Sequence, residues 1–237
     1  MKDSSRVFTV ILIVIIALIV GLIIFLTFNI LNQININNLN ARVATDFENV
    51  VDDRQIIYKN EEDSSNSNKI SIDTNLVDIP SSDPDEEGSS SGGSGSSRRI
   101  VKYNGYTVVG TIEIPSTKIK YPILQDLSKS SIENGIAVMY TTTPNNELNK
   151  PGNVVLAGHN YRDGTFFSNN KKLEEGDKIY ITDNDGNKVT YIVYNTYVTT
   201  PEDFDYATRP TEGRREISLT TCTDDVKSRL IIWASAD

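Results

Sequence analysis

Apolar and polar positions alternate along this chain in four different rhythms. Val7 to Leu31 carries no charged residue and is rich in Ile, Leu and Val. About 20 apolar residues at ~1.5 Å rise each cross a bilayer as a helix, so this run predicts a membrane-spanning helix. It is longer than the ~7–15-residue apolar stretch of a signal peptide, and no Ala-x-Ala site follows it. Residues 32–59 carry scattered apolar positions, among them Val43, Phe47, Val50 and Val51. Their partly helical spacing predicts a short juxtamembrane helix. Residues 60–99 are acidic and Ser/Gly-rich, and include Gly88-Ser89-Ser90-Ser91-Gly92-Gly93-Ser94-Gly95. Such sequence buries too little apolar surface to offset chain entropy and reads as a flexible tether, with an r.m.s. reach of roughly 35 Å.

From residue 100 to 237 the rhythm becomes that of strands. Val108–Ile114, Ile119–Leu124, Ile136–Tyr140, Val154–Ala157, Lys178–Thr182, Lys188–Val198, Glu216–Thr221 and Leu230–Ala234 are short apolar or alternating runs separated by turn residues. Thr165 to Leu173 predicts a short helix. Many short strands with close turns predict a mostly β barrel or sandwich. The expected layout is a tail at 1–6, an anchor at 7–31, a juxtamembrane segment at 32–59, a tether at 60–99 and one folded domain at 100–237.

Lys2 and Arg6 precede the apolar run, and the first cation after it is Arg42. That bias places the N-terminus in the cytoplasm and the folded domain outside. The net charge of −9 argues against nucleic acid, which attracts Lys/Arg stripes. A single cysteine forbids an intramolecular disulfide, and in an exported protein it points to an intermolecular bridge or a reactive thiol.

The chain has one cysteine and one histidine. Cys222 closes the strand-like Ser218-Leu219-Thr220-Thr221-Cys222, and His159 closes Leu156-Ala157-Gly158-His159. A thiol nucleophile needs a base or a lowered pKa, His supplies acid–base function near neutral pH, and a permanent cation such as Arg229 stabilises an oxyanion. If the strands ending at Cys222 and beginning at Arg229 pair, their side chains lie close. Each residue also has a bland reading: Cys222 as a small core hydrophobe, His159 as a loop histidine, Arg229 as a partner of Asp224 or Asp225. From chemistry alone both readings stand.

Leu219-Thr220-Thr221-Cys222 followed by Arg229, with Leu156-Ala157-Gly158-His159-Asn160, resembles the sortase signature over Val108 to Ala234. The resemblance implies an eight-stranded β-barrel with short helices and a membrane-anchored cysteine transpeptidase that cleaves an LPxTG-like sorting motif of exported proteins. It implies a thioacyl enzyme on Cys222, acid–base work by His159, and substrate and oxyanion binding by Arg229. Thr221, Thr220 and Asn160 become candidate substrate contacts. Peptidoglycan or its precursor becomes the amine acceptor, and neither metal nor organic cofactor is needed. Gly158–Phe167 and Tyr197–Tyr206 look most like class B sortases. Ser218 in place of the motif's first Thr, and about 20 residues between Val198 and Ser218, depart from that class and leave class D-like or E-like enzymes open. Asp183-Asn184-Asp185-Gly186 lacks the full calcium loop and reads as a hairpin turn. Asp83-Pro84 lacks the aromatic residue of a class C lid. An L,D-transpeptidase is the nearest rival enzyme, but its Ser-x-Gly-Cys pattern with Arg two residues later is absent. A non-catalytic envelope binding domain is the other alternative, and it predicts a dispensable Cys222.

Overall fold

The computed structural model describes residues 2–52, 70–73 and 100–236, with side chains over 11–51 and 100–236. Helix α1 spans Lys2–Asp52. The strands are β1 (Ile70–Asp73), β2 (Ile100–Tyr103), β3 (Tyr106–Ile114), β4 (Ile119–Leu124), β5 (Ile136–Thr141), β6 (Gly152–Ala157), β7 (Lys178–Asp183), β8 (Lys188–Thr199), β9 (Arg215–Cys222) and β10 (Arg229–Ala236), with a four-residue helix α2 (Asp205–Thr208) between β8 and β9.

Eight of these strands close a barrel in the order β3-β4-β5-β6-β9-β10-β8-β7 and back to β3. The β3–β7 seam pairs Gly110 with Asp183 and Glu113 with Tyr180. A register shift between Val108 and Gly110 bends β3 so that it serves β4 on one edge and β7 on the other. Gly110 is required at this seam: a Cβ there would lie 2.5 Å from the Thr182 carbonyl oxygen. Contacts β4–β5 and β6–β9 are parallel, the rest antiparallel.

Period-two alternation sorts side chains to the two faces. Ile112, Tyr121, Ile136, Leu156, Ile217, Leu219, Leu230 and Ile232 belong to the barrel core. Val155, Ile231 and Trp233 point the other way, where Tyr206 and Ala207 of α2 cover them. This is why β6 reads as a continuous apolar run: it is buried on both faces.

Three expectations need correction. The helix does not stop at the apolar run followed by a separate juxtamembrane helix; α1 is continuous to Asp52. Its second half packs on β3 and β4, burying Val43, Ala44 and Phe47. Val43 and Phe47 join Val101, Tyr103, Val108 and Leu124 in a second apolar cluster outside the barrel. Glu48 accepts hydrogen bonds from Thr111 and from Lys120, each at 2.7 Å. These contacts hold helical an Asn-rich stretch that helix propensity alone disfavours. Along the barrel, α1 runs from Asn37, bonded to Tyr121, to Val51, whose backbone lies against Gly186 in the β7–β8 turn. The apolar positions from Ile11 to Ile34 remain exposed, and this helix is long and apolar enough to cross a membrane.

The second correction is that β1, inside the segment expected to be a tether, pairs antiparallel with β2; the remainder of 60–99 lies outside the described residues, as does Asp83-Pro84. The third is that Thr165 to Leu173 is not a helix but turns with one 3-10 turn at Asn170–Lys172. Phe166 adopts a left-handed conformation (φ 48°), and Asp163 Oδ1 accepts hydrogen bonds from the Thr165 N–H and hydroxyl at 2.9 and 2.6 Å. That local turn competes successfully with helix.

Candidate active site

Strands β9 and β10 pair so that Cys222 stands opposite Arg229. Cross-strand partners share a face, with Cβ atoms about 4.5–5.5 Å apart. Both carry the outward parity of Thr220, Ile231 and Trp233. The six residues joining the strands form a bonded turn: Thr223 N–H donates to the Ser228 carbonyl at 3.0 Å, and Asp225 accepts the Thr223 hydroxyl at 2.6 Å. The turn fixes the spacing of the two side chains.

His159 arrives from β6, which runs parallel to β9 with Ala157 opposite Thr220. Two clasps tie its flanks to the cysteine strand. The buried Thr221 hydroxyl donates to the Gly158 carbonyl at 2.7 Å, and Asn160 Nδ2 donates to the Cys222 carbonyl at 2.9 Å. A Cβ on Gly158 would lie 2.7 Å from both Ile136 Cδ1 and Phe167 Cδ2, so only glycine lets the chain pass there. His159, Cys222 and Arg229 therefore converge on one end of the barrel, each half-buried.

Among the described residues none of the three side chains is held in a disulfide or an ion pair. Cys222 is a free thiol. The His159 imidazole makes no hydrogen bond; it packs beside Tyr161 (ring centroids 4.8 Å) and edge-on to Phe166 (6.5 Å). Burial pulls its pKa below the ordinary histidine value, against a small opposing influence from Glu133. The bland partners proposed for Arg229 are taken elsewhere: Asp224 pairs with Lys171, and Asp225 binds Thr223 and the Lys227 N–H. Arg229 itself reaches only the Ser228 carbonyl, at 3.4 Å. A thiol, an imidazole and a permanent cation brought to one half-exposed end of the barrel are the kinds of group that acyl transfer requires.

Thr221 and Asn160, expected as substrate contacts, use their side chains in the clasps. Asn160 also donates to Asp224 Oδ1 at 3.0 Å and accepts from the Arg162 N–H at 3.0 Å. Thr220 is buried on the outer face beside the site. Ser218, where the signature has Thr, donates to Asn153 Oδ1 at 3.0 Å. Asn153 in turn donates to the Tyr206 and Ala207 carbonyls, both at 3.0 Å. These bonds fasten the short β8–β9 connection to the outer face. The roles of Asn153, Tyr121 and Phe166 escaped the sequence reading, because they rest on long-range partners that no local pattern marks.

Residues 112–237 match the Sortase domain family. The chain belongs to the sortase family, whose members are cysteine transpeptidases. Two curated relatives are Sortase A of Bacillus anthracis, 35% identical over 116 residues covering 48% of this chain and 52% of the relative, and Sortase A of Listeria monocytogenes, 30% identical over 121 residues covering 51% of each. The matched part thus spans about half the length of these relatives. Among solved structures, sortase C-1 of Actinomyces oris aligns with a TM-score of 0.49 at 27% identity, over 55% of this chain and 73% of that one. A Clostridium perfringens sortase D5 transpeptidase aligns with a TM-score of 0.49 at 27% identity, over 55% and 79%.

Proposed function

We propose that this chain is a membrane-anchored sortase that cleaves an LPxTG-like sorting motif and joins the exported protein to a cell-wall amine. The observation that carries the reading is the cross-strand pairing of Cys222 with Arg229 beside the doubly clasped His159. The Cys222 thiolate attacks the motif's Thr carbonyl, and Arg229 faces the developing oxyanion. The C–N bond breaks as His159 gives its proton to the leaving amine, which leaves a thioester on Cys222. An incoming amine, from peptidoglycan or its precursor, attacks that thioester. Its proton passes to His159 and the thiolate departs. Thr221 and Asn160 act on the substrate indirectly, through the backbone of Gly158 and Cys222 that they hold.

The apolar half of α1 serves as the anchor, with Lys2 and Arg6 on the cytoplasmic side and the barrel outside. The His159 loop and the Tyr197–Tyr206 segment are read as class B-like, on a β8–β9 connection that carries only the four-residue α2.

The test uses the whole chain in detergent micelles, since residues 37–51 are built into the domain. Intact-mass measurement after mixing with sorting-motif peptides should show an acyl adduct that an added amine discharges, and Cys222→Ala should lack it. A reagent-accessible thiol that no such peptide acylates would refute the assignment.

A further inference from the structure

The His159 loop is fixed on its cysteine side by the Thr221 and Asn160 clasps. Its other side is fixed by an independent set of contacts that reaches back to α1. The His159 carbonyl accepts from the Phe167 N–H at 3.0 Å. The preceding residue, Phe166, donates its own N–H to the Tyr121 hydroxyl at 3.0 Å. The Phe166 ring lies 4.9 Å from that of Tyr121, 5.5 Å from Tyr161 and 6.5 Å from His159. Tyr121 is fully buried, and its hydroxyl donates to Asn37 Oδ1 at 2.7 Å.

The Phe166 N–H fixes the direction of one of these bonds. Burial pushes the Tyr121 phenol far above its ordinary pKa, so it keeps its proton at any working pH. A phenol has one O–H to give, and an amide N–H can only donate. The hydroxyl therefore accepts from Phe166, and its own proton goes to Asn37 Oδ1. Without the Asn37 acceptor the hydroxyl is free to rotate. Without the hydroxyl, the buried N–H of a left-handed phenylalanine has no partner.

We propose that Tyr121 is a positioning residue for His159, acting through Phe166, and that Asn37 on the docked half of α1 sets the Tyr121 hydroxyl, so that the anchor helix is part of the catalytic unit. The inference rests on reading His159 as the acid–base group. It concerns geometry around the imidazole rather than the chemistry of the thiol.

His159 is the only histidine in the chain, so its Cε1–H resonance is unambiguous in an untagged protein. The whole chain in micelles is compared as wild type, Tyr121→Phe and Asn37→Ala. In both variants the resonance should move, and its titration midpoint should rise toward that of a solvent-exposed histidine. Glu133, the charged group that opposes the effect of burial on His159, is present in all three proteins. With sorting-motif peptide, kcat should fall roughly tenfold or more, as misplaced catalytic groups do, while KM stays within about twofold because no substrate contact is removed. An unmoved resonance and a kcat reduced only in proportion to unfolded protein would overturn the proposal. Should Tyr121→Phe not fold, Asn37→Ala decides alone, being at a half-exposed helix position. A wild type inactive on every sorting peptide would sink the functional reading, and the resonance would still decide the positioning claim.

Discussion

Docking of α1 on the barrel is most directly tested at Phe47. This side chain is 1% exposed and packs with Val101, Tyr103, Val108 and Leu124. A buried Phe removes about 200 Å² from water, which at about 25 cal/mol per Å² is about 5 kcal/mol as an upper bound. Phe→Ala substitutions in cores cost about 3–5 kcal/mol. Phe47→Ala should therefore lower the stability of the whole chain by about 3 kcal/mol or more, and the melting point by about 2–4 °C per kcal/mol. The control is Phe25→Ala on the same helix, at a position 60% exposed and outside the barrel's contacts. Thermal or urea unfolding in micelles, followed by near-UV circular dichroism, reads both. Equal midpoints for the two variants, within about 1 kcal/mol, would refute a docked helix and leave the barrel standing without it.

Gly158→Ala should overpack the turn before His159, costing about 1–3 kcal/mol and lowering activity; peptide turnover by the folded fraction checks the second part. Glu48 gives a pH-dependent contribution: burial pushes its carboxyl up, but hydrogen bonds from Lys120 and Thr111 outweigh this and leave it below its ordinary 4.5. Its contribution is therefore complete above pH 4.5 and lost as pH falls through the lower folded value. The stability gap between wild type and Glu48→Gln should close on acidification, as unfolding midpoints across pH 3–7 will show. Glu216 is buried against Arg209 and Arg214 and accepts from the Tyr194 hydroxyl. Glu216→Ala should cost about 3–5 kcal/mol by leaving Arg209 uncompensated, measured by urea unfolding.

The barrel strands were legible because each side of the sheet is covered consistently. Strand β6 reads as uniformly apolar since α2 covers its outer face, and the β7–β8 hairpin announces itself through Asp183 to Asn187, where Asp183 Oδ1 accepts from the Asp185 and Asn187 N–H groups. The catalytic candidates were legible for a different reason: a lone cysteine and a lone histidine leave no choice of partner. What the sequence hid lies in contacts between distant segments. Asn37 and Tyr121 are 84 residues apart, and nothing near either one marks the bond. The apolar spacing from Thr165 to Leu173 looks helical, yet the Asp163 turn and the left-handed Phe166 decide otherwise. Thr221 and Asn160 were expected as substrate contacts, but only the folded chain shows that the Thr221 hydroxyl goes to the Gly158 carbonyl and the Asn160 amide to the Cys222 carbonyl and Asp224.

Continuity of α1 changes how the proposed anchor presents the site. A flexible tether lets a catalytic domain sample any orientation within its reach. Here Asn37 touches Tyr121 only six residues after Leu31 closes the uncharged run, a rise of about 9 Å along a helix. From there α1 lies along the barrel toward Val51 and the β7–β8 turn, so the end bearing His159 is the end nearest the apolar half. In the proposed topology the Cys222–His159–Arg229 cluster therefore lies at the end of the barrel nearer the bilayer surface. The same docked turns that set this height also hold the Tyr121 hydroxyl behind the histidine loop. On this proposal anchoring and active-site geometry share one element, and a substitution at Asn37 should act on the chemistry without touching a reacting atom.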